Sequence, residues 1–342
     1  MRLTRASNAA TCAVLSGIAA LLLAGTSDAG HAAVVGSRHA AADQASLDLY
    51  PASTKLSRAA DTEADVYVPA GTEIAKLVMF LPAGYGLDLT KPPGTKVGAV
   101  FAWDLAGFPT LGDVVSADPA AYTTNSCVPG LHQAVWILGS DDSIRFPATP
   151  VFVDQTTGAD TELGAYKAQA CLPSSSTGSM QIRLLALDLK FLTNPAATGV
   201  YTWRLFVTPY AGGVPNDGGT FEIRSTLPLP SQLTLYGHYD RRHKRALLDG
   251  RLIAPAYDTG GVYLDLYMSR GGRLRYSGSV RTHAQGRYSF RRRITKTTQF
   301  AMTTATWDDC TGSPAPGGCI SDTLATIQSR TVKVVVRKRA KH

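Results

Sequence analysis

A two-residue alternation of side chains in residues 262–304 constrains the fold of this 342-residue chain more than any other feature. The apolar set is Val262, Leu264, Leu266 and Met268, and the set between them is Tyr263, Asp265 and Tyr267. Successive side chains of a β-strand point to opposite faces, so this period is typical of half-buried antiparallel strands. The stretch therefore predicts sheet, and it holds no group that performs chemistry.

Similar short runs recur along the chain and predict an all-β protein of two antiparallel β-sandwich domains in tandem. Only 18% of residues are charged, and 32 Gly and 19 Pro supply frequent turns. The predicted strands are Ala64–Val68, Ile74–Leu81, Val97–Trp103, Gln133–Leu138, Ile144–Val153, Gln181–Leu192, Val200–Thr208, Gln232–Tyr239, Ala246–Ile253, Val262–Met268, Arg287–Ile294, Thr297–Thr304 and Ile327–Val336. One stretch, residues 160–170, predicts two or three helical turns capped by Asp160 and weakened by Gly164.

Changes in composition along the chain predict its division into domains. A flexible leader at 30–60 precedes an N-terminal β-sandwich at 61–226. The two prolines of Leu227-Pro-Leu-Pro230 predict a stiff linker at 227–231. An immunoglobulin-like β-sandwich at 232–337 and a basic tail at 338–342 complete the scheme.

Residues 1–29 have the pattern of a secretory signal peptide. A basic start at Arg2 and Arg5 precedes an apolar run at 13–24, and Ser27-Asp28-Ala29 offers small residues for cleavage. The alternative is a membrane-anchored N-terminus, but the run is too short to span a bilayer. We therefore predict an extracellular protein, with or without cell-wall association, and with no transmembrane anchor after cleavage.

The cysteines predict two disulfide bonds in an oxidising compartment. Removal of the signal peptide removes Cys12 and leaves Cys127, Cys171, Cys310 and Cys319, which allow three pairings. Pairing of nearest neighbours keeps each bridge within one predicted domain and favours Cys127–Cys171 and Cys310–Cys319. A zinc site is the competing interpretation, and the lack of any CxxC pair or nearby histidine argues against it.

Charge divides the chain sharply. Residues 231–342 hold 20 Lys and Arg against 7 Asp, a net charge of +13, whereas the whole chain carries +8. Such a surface suits an anionic cell-wall polymer, carbohydrate or another envelope protein. The predicted contact residues are Arg241, Arg242, Lys244, Arg245, Arg291 and Arg293. The alternative is that these charges only keep strands soluble and protect sheet edges. Specific nucleic-acid recognition is not expected, because no known nucleic-acid module is present.

No motif selects a catalytic, metal or cofactor site. His238 and Asp240 share a strand face, but His243 is predicted on the other face, among cations that repel a metal. Asp141-Asp142 and Asp308-Asp309 are adjacent pairs in turns, and neighbours on a chain point apart, unlike the acids of a glycosidase. Trp136 and Trp203 are predicted in the core, and Trp307 is the best exposed candidate for sugar stacking. For Trp103 the sequence predicts neither a core nor a surface position.

Three segments carry a resemblance to a known class of domain. They are Leu248-Asp-Gly-Arg-Leu252, Gly261-Val-Tyr-Leu-Asp-Leu-Tyr267 and Val280-Arg-Thr-His-Ala-Gln-Gly286-Arg-Tyr-Ser-Phe290. Together they resemble the bacterial immunoglobulin-like and carboxypeptidase-regulatory-like domains of exported proteins, which implies a spacer, display or adhesion role. The N-terminal domain carries no such resemblance.

The first functional hypothesis is a secreted, non-enzymatic structural or binding module at or near the cell envelope. The second is a wall-polymer or carbohydrate-binding protein that uses the basic C-terminal domain. The third is an extracellular hydrolase whose site lies between the domains; it requires a His, a carboxylate and a Ser or Cys in one cleft.

Overall fold

The computed structural model describes residues 45–69, 71–104, 109–139, 146–174, 182–304 and 322–336, and these are mostly β-strand. The all-β prediction is therefore confirmed. Short 3-10 helices occur at Pro119–Tyr122, Gly158–Glu162, Asp217–Gly219 and Ala284–Gly286. The predicted signal peptide, Asp141-Asp142, Trp307, Asp308-Asp309, Cys310, Cys319 and the basic tail lie outside the described residues.

Strands β1–β14 form the N-terminal unit. They are β1 (Ser46–Pro51), β2 (Thr62–Tyr67), β3 (Ile74–Leu81), β4 (Gly86–Leu87), β5 (Lys96–Asp104), β6 (Pro109–Ala117), β7 (Ala134–Leu138), β8 (Thr149–Gln155), β9 (Tyr166–Cys171), β10 (Ile182–Leu189), β11 (Leu192–Thr193), β12 (Gly199–Ala211), β13 (Val214–Pro215) and β14 (Phe221–Leu229). Most of them join one unbroken ladder in the order β1-β2-β10-β5-β6-β7-β8-β9-β3-β12-β14. This single sheet curls around one apolar core.

Strand β12 places one alternating set of side chains in that core, including Trp203, as predicted. Trp203, Leu205 and Val207 are buried, and Tyr201 packs against the same cluster. Trp136 of β7 is buried in the same cluster, as predicted. The Cys127–Cys171 disulfide is also present and joins the loop before β7 to the end of β9.

The remaining strands form the C-terminal sandwich. They are β15 (Gln232–Asp240), β16 (Arg245–Ile253), β17 (Tyr263–Ser269), β18 (Arg275–Arg281), β19 (Arg287–Arg293), β20 (Thr298–Thr304) and β22 (Val332–Val334). One sheet has the order β15-β16-β19 and the other β18-β17-β20-β22. Both sheets bury apolar side chains against each other, including Leu248, Leu264, Leu266 and Phe300. Two antiparallel sheets with this interleaved order make an immunoglobulin-like sandwich.

A short strand from the C-terminal part of the chain crosses into the N-terminal sheet. Strand β21 (Asp322–Leu324) pairs in parallel with β14 and also contacts β1. The Thr323 hydroxyl donates to the Leu47 carbonyl of β1, and the Thr326 amide donates to the Leu49 carbonyl at 2.8 Å. The next residues then enter β22, so the connection between β20 and β22 ties the two units together.

Two segments placed outside the domains by the sequence are strands in the structure. Residues 46–51 of the predicted flexible leader form β1, where Leu47 and Leu49 are fully buried. Leu227, Pro228 and Leu229 of the predicted linker pair with β12 as the end of β14. Pro228 fits a strand here because β21 pairs only with residues 224–226 of β14, so β14 is an edge strand at Pro228, with β12 on its other side. The division of the chain into two separate domains stays a prediction.

The helix predicted at residues 160–170 is wrong. A 3-10 segment ends at Glu162, and Tyr166–Cys171 forms β9. Gly164 explains the difference, because a Cβ at this position would lie 2.3 Å from the Leu81 carbonyl oxygen. The backbone at residue 164 lies so close to β3 that a residue with a Cβ would clash there. Glycine has no Cβ and permits this approach.

Strand β17 departs from the predicted half-buried pattern. Asp265 and Tyr267, from the set opposite the apolar one, are 6% and 2% exposed. The Ser279 hydroxyl donates to the Asp265 carboxylate at 2.5 Å, and the Tyr276 ring packs edge-on against Tyr267 with ring centroids 6.1 Å apart. Neighbouring β18 thus supplies partners that the alternation alone does not indicate.

Candidate functional site

The outer face of the β15-β16-β19 sheet, opposite its buried face, is the candidate site. We call it the arginine face. Its side chains lie in four rows across the strands, fixed by the register. The rows are Asp240, Arg245 and Arg293; His238, Leu247 and Arg291; Tyr236, Asp249 and Ser289; and Thr234, Arg251 and Arg287.

Two arginine pairs mark the ends of this face. Arg245 of β16 lies directly opposite Arg293 of β19, and Arg251 lies directly opposite Arg287. Directly opposed side chains on adjacent strands have Cβ atoms about 4.5–5.5 Å apart, and like charges there are destabilising. The two pairs are six residues apart, which is about 20 Å along the strands.

In the part of the chain that the structure describes, the arginines of this face form no ion pair with a carboxylate, since Asp240, which lies directly opposite Arg245, binds the hairpin turn instead. No carboxylate there lies within 4.0 Å of Arg245, Arg287, Arg291 or Arg293. Arg251 donates from Nε to the Gln285 carbonyl at 2.7 Å, which orients its guanidinium without neutralising it. By contrast, Arg204 and Arg224 of the N-terminal unit share Glu222 at 2.9 and 2.6 Å.

The β15–β16 hairpin extends the charge beyond the first row. Arg241, Arg242 and Lys244 lie in its exposed turn. Asp240 holds the turn, since its carboxylate accepts the backbone amides of Arg242 at 2.9 Å and His243 at 3.2 Å. The His243 side chain also binds Asp240 at 2.6 Å, and this hydrogen bond lowers the pKa of the Asp240 carboxyl. The turn thus brings His243 to Asp240, contrary to the prediction of opposite faces.

The third row differs in chemistry from the rows around it. Tyr236 is 64% exposed, lies directly opposite Asp249, and has Ser289 on the next strand. An aromatic ring, a carboxylate and a hydroxyl therefore sit between the two arginine pairs. His238 and Leu247 fill the second row beside Arg291.

The structure brings together three of the six predicted contact residues on this face and places the other three in the adjoining turn. Arg251 and Arg287 are not among the predicted contact residues, because their pairing depends on the β16–β19 register. Arg275 and Arg281 belong to β18 of the other sheet, and Arg270 and Arg273 lie in the loop before it. Arg281 instead covers the Tyr263 ring at 5.4 Å.

His132 is the one buried histidine among the described residues, and its ring nitrogens are both engaged. Nδ1 lies 2.8 Å from Asp154 Oδ2, and Nε2 lies 3.1 Å from the Val128 carbonyl oxygen. A general base needs a free nitrogen lone pair next to its substrate. The His132–Asp154 contact therefore has a structural role and anchors the loop before β7 to β8. Asp154 also accepts the Gln133 backbone amide at 2.9 Å. The described residues hold no group of three or more potential metal ligands.

A cluster of partly buried carboxyl groups lies on the face of β1, β2 and β10 that points away from the apolar core. Asp48 lies directly opposite Asp65, and Glu63 lies directly opposite Asp188. Burial, with the neighbouring Glu63 and Asp48 carboxyls, raises the pKa of Asp65 well above its ordinary value. Burial and Asp188 raise the pKa of Glu63 in the same way. Strand register creates this cluster, which the sequence alone does not reveal.

Comparison with known proteins does not place the chain in a family. No protein-family model matches it, and no curated protein matches it. Among solved structures, the D0-D1 domain of intimin aligns at 6% identity and a TM-score of 0.21, over 84% of this chain and 98% of that one. The major pilin SpaD from Corynebacterium diphtheriae aligns at 9% identity and a TM-score of 0.25, over 84% and 67%. A tetra-tandem repeat from the extending region of a large adhesion protein aligns at 10% identity and a TM-score of 0.21, over 85% of this chain and 74% of that one.

These TM-scores are too low to support an argument about fold or function, so the immunoglobulin-like assignment rests on the strand order itself.

None of the helices within the described ranges has the length and apolar character needed to traverse a bilayer.

Proposed function

We propose that this protein is an exported, non-enzymatic binding module that docks on an anionic polymer at or near the cell envelope. The arginine face makes the contact, and the hairpin turn with Arg241, Arg242 and Lys244 extends it. Export is inferred from the signal-peptide pattern of residues 1–29. A display or adhesion role is what the resemblance of residues 248–290 to domains of exported proteins implies.

The opposed Arg245–Arg293 and Arg251–Arg287 pairs carry this proposal. Each places two cations side by side at a cost to the stability of the free protein. An anionic polymer removes that repulsion when it binds, so the cost is recovered in the complex. Charges needed only for solubility would be spread among carboxylates, as around Glu222.

The proposal is tested by titrating the mature protein with isolated wall polymer and with heparin at increasing salt. Binding that depends on a few ion pairs should weaken roughly tenfold to a hundredfold between 50 and 200 mM salt. The Arg291→Glu/Arg293→Glu variant should lose most of this binding. Arg270→Glu/Arg275→Glu is the matched control, with the same charge change on the other sheet. Equal losses in both variants, or binding indifferent to salt, would overturn the proposal.

A further inference from the structure

We infer that the polymer held by the arginine face is an anionic glycan, and that one of its sugar rings stacks on Tyr236. This inference rests on the proposed function and narrows its ligand class. The third row is the observation that carries it. A face that bound any polyanion equally well would need only cationic side chains, and this row has none. Instead the row between the arginine pairs holds Tyr236, Asp249 and Ser289.

Tyr236 offers an open ring at the level where the chain of a bound polymer would pass. It is 64% exposed although it sits within a strand, with the sheet beneath it. An aromatic ring presented in this way binds the apolar face of a ring in its ligand. Inorganic polyphosphate and acidic peptide backbones have no such ring, whereas every unit of a glycan has one.

Asp249 separates glycans from other polyanions by charge. It is exposed and lies directly opposite Tyr236, between the two arginine pairs, whereas Asp240, the other carboxylate of this face, binds the hairpin turn. A carboxylate repels phosphate and sulfate groups but accepts hydrogen bonds from hydroxyl groups. Beside Tyr236 it would accept hydroxyls of the stacked sugar, while the arginine pairs bind anionic groups to either side of it.

The spacing of the face sets the size of the bound segment. Arg293 and Arg287 are about 20 Å apart along β19, with Arg291 between them. The ligand therefore carries anionic groups on both sides of an uncharged hydroxyl-bearing ring. Nucleic acid, which also has rings that stack on tyrosine, is the competing ligand class, and its phosphates would approach Asp249 unfavourably.

The test compares three probes on the mature protein: a hyaluronan oligosaccharide, in which carboxylate-bearing and uncharged sugars alternate, inorganic polyphosphate of similar charge, and a single-stranded DNA oligonucleotide. Tyr236→Ala should weaken hyaluronan binding by about threefold to tenfold and leave polyphosphate binding unchanged, while Tyr236→Phe should behave as wild type. Asp249→Asn should weaken hyaluronan binding and strengthen polyphosphate binding. These opposite changes cannot come from a general loss of folding.

The possible outcomes separate the two proposals. If no probe binds in a salt-dependent way, the proposed function fails and this inference fails with it. If hyaluronan and polyphosphate bind and respond equally to Tyr236→Ala and Asp249→Asn, the polyanion function stands and the glycan inference is overturned. Tighter binding of DNA than of hyaluronan, lost in Tyr236→Ala, would also overturn it, because the ring would then serve base stacking.

Discussion

Among single residues, the opposed pair Arg245 and Arg293 provides a test in the absence of any ligand. Arg293→Glu should raise the free energy of unfolding by about 0.2–1 kcal/mol, because it converts a repulsive cross-strand pair into an attractive one. Arg291→Glu is the matched control: it lies opposite Leu247 and should bring no such gain. Both substitutions should weaken polymer binding. Urea denaturation at low salt measures the first effect, and a loss of stability in Arg293→Glu would contradict it.

The carboxyl cluster of β1, β2 and β10 predicts a particular dependence of stability on pH. The pKa values of Glu63, Asp65 and Asp188 are raised on folding, with burial as the largest cause. The native state therefore holds protons that the unfolded chain has released. Their stabilising contribution is complete below the unfolded pKa values, near 4, and is lost as pH rises through the higher folded values. Nearby Asp61, Lys96 and Lys190 modify the effect at Asp188.

The Asp65→Asn variant tests this cluster. It replaces the carboxyl with a neutral amide of the same shape, so folding no longer requires proton uptake at this site, and the free energy of unfolding at pH 7.5 should rise by about 1–2 kcal/mol. It should also reduce the difference in stability between pH 5 and pH 7.5. Asp217→Asn, in an exposed turn, should change neither quantity. A variant less stable than wild type at pH 7.5 would mean that Asp65 is stabilising as a carboxylate.

Among the strands, the sequence was most informative where one face is apolar and least informative where register decides. Strand β3 was predicted with the bounds it has, and Trp136 of β7 and Trp203 of β12 were predicted in the core that contains them. Strand β21 has only three residues, too few to show a period. The arginine pairs and the Asp48–Asp65 pair both depend on register between strands, which local patterns do not encode. The position of Gly164 against Leu81 depends likewise on a contact distant in sequence.

The Cys127–Cys171 bridge should contribute strongly to the N-terminal unit. It closes a segment with a sequence separation of 44, for which the chain-entropy model gives about 4 kcal/mol. Cys127→Ala/Cys171→Ala should therefore lower the free energy of unfolding by an amount of that order, as measured by chemical denaturation. Adding reductant to the variant should have no further effect at this bridge. A change below about 1 kcal/mol would show that the loop before β7 is held by other contacts, such as His132 with Asp154.

For the molecule as a whole, β21 predicts that the two units unfold together. Thr323 is 2% exposed, and its hydroxyl bonds the Leu47 carbonyl and lies 2.9 Å from the Ser225 hydroxyl. Thr323→Val keeps the shape and removes these bonds, so stability should fall by about 1–3 kcal/mol. Amide exchange should show equal losses of protection in β12 and in β17. Loss confined to β12 would mean that the C-terminal sandwich is an independent domain.

The most direct measurement of the central claim is arginine-specific labelling with phenylglyoxal, read by mass spectrometry with and without bound heparin oligosaccharide. The account predicts that the polymer protects Arg245, Arg287, Arg291 and Arg293, while Arg270 and Arg275 on the other sheet react at unchanged rates. Protection of Arg270 and Arg275 with continued labelling of the arginine face would contradict the claim that this face makes the contact.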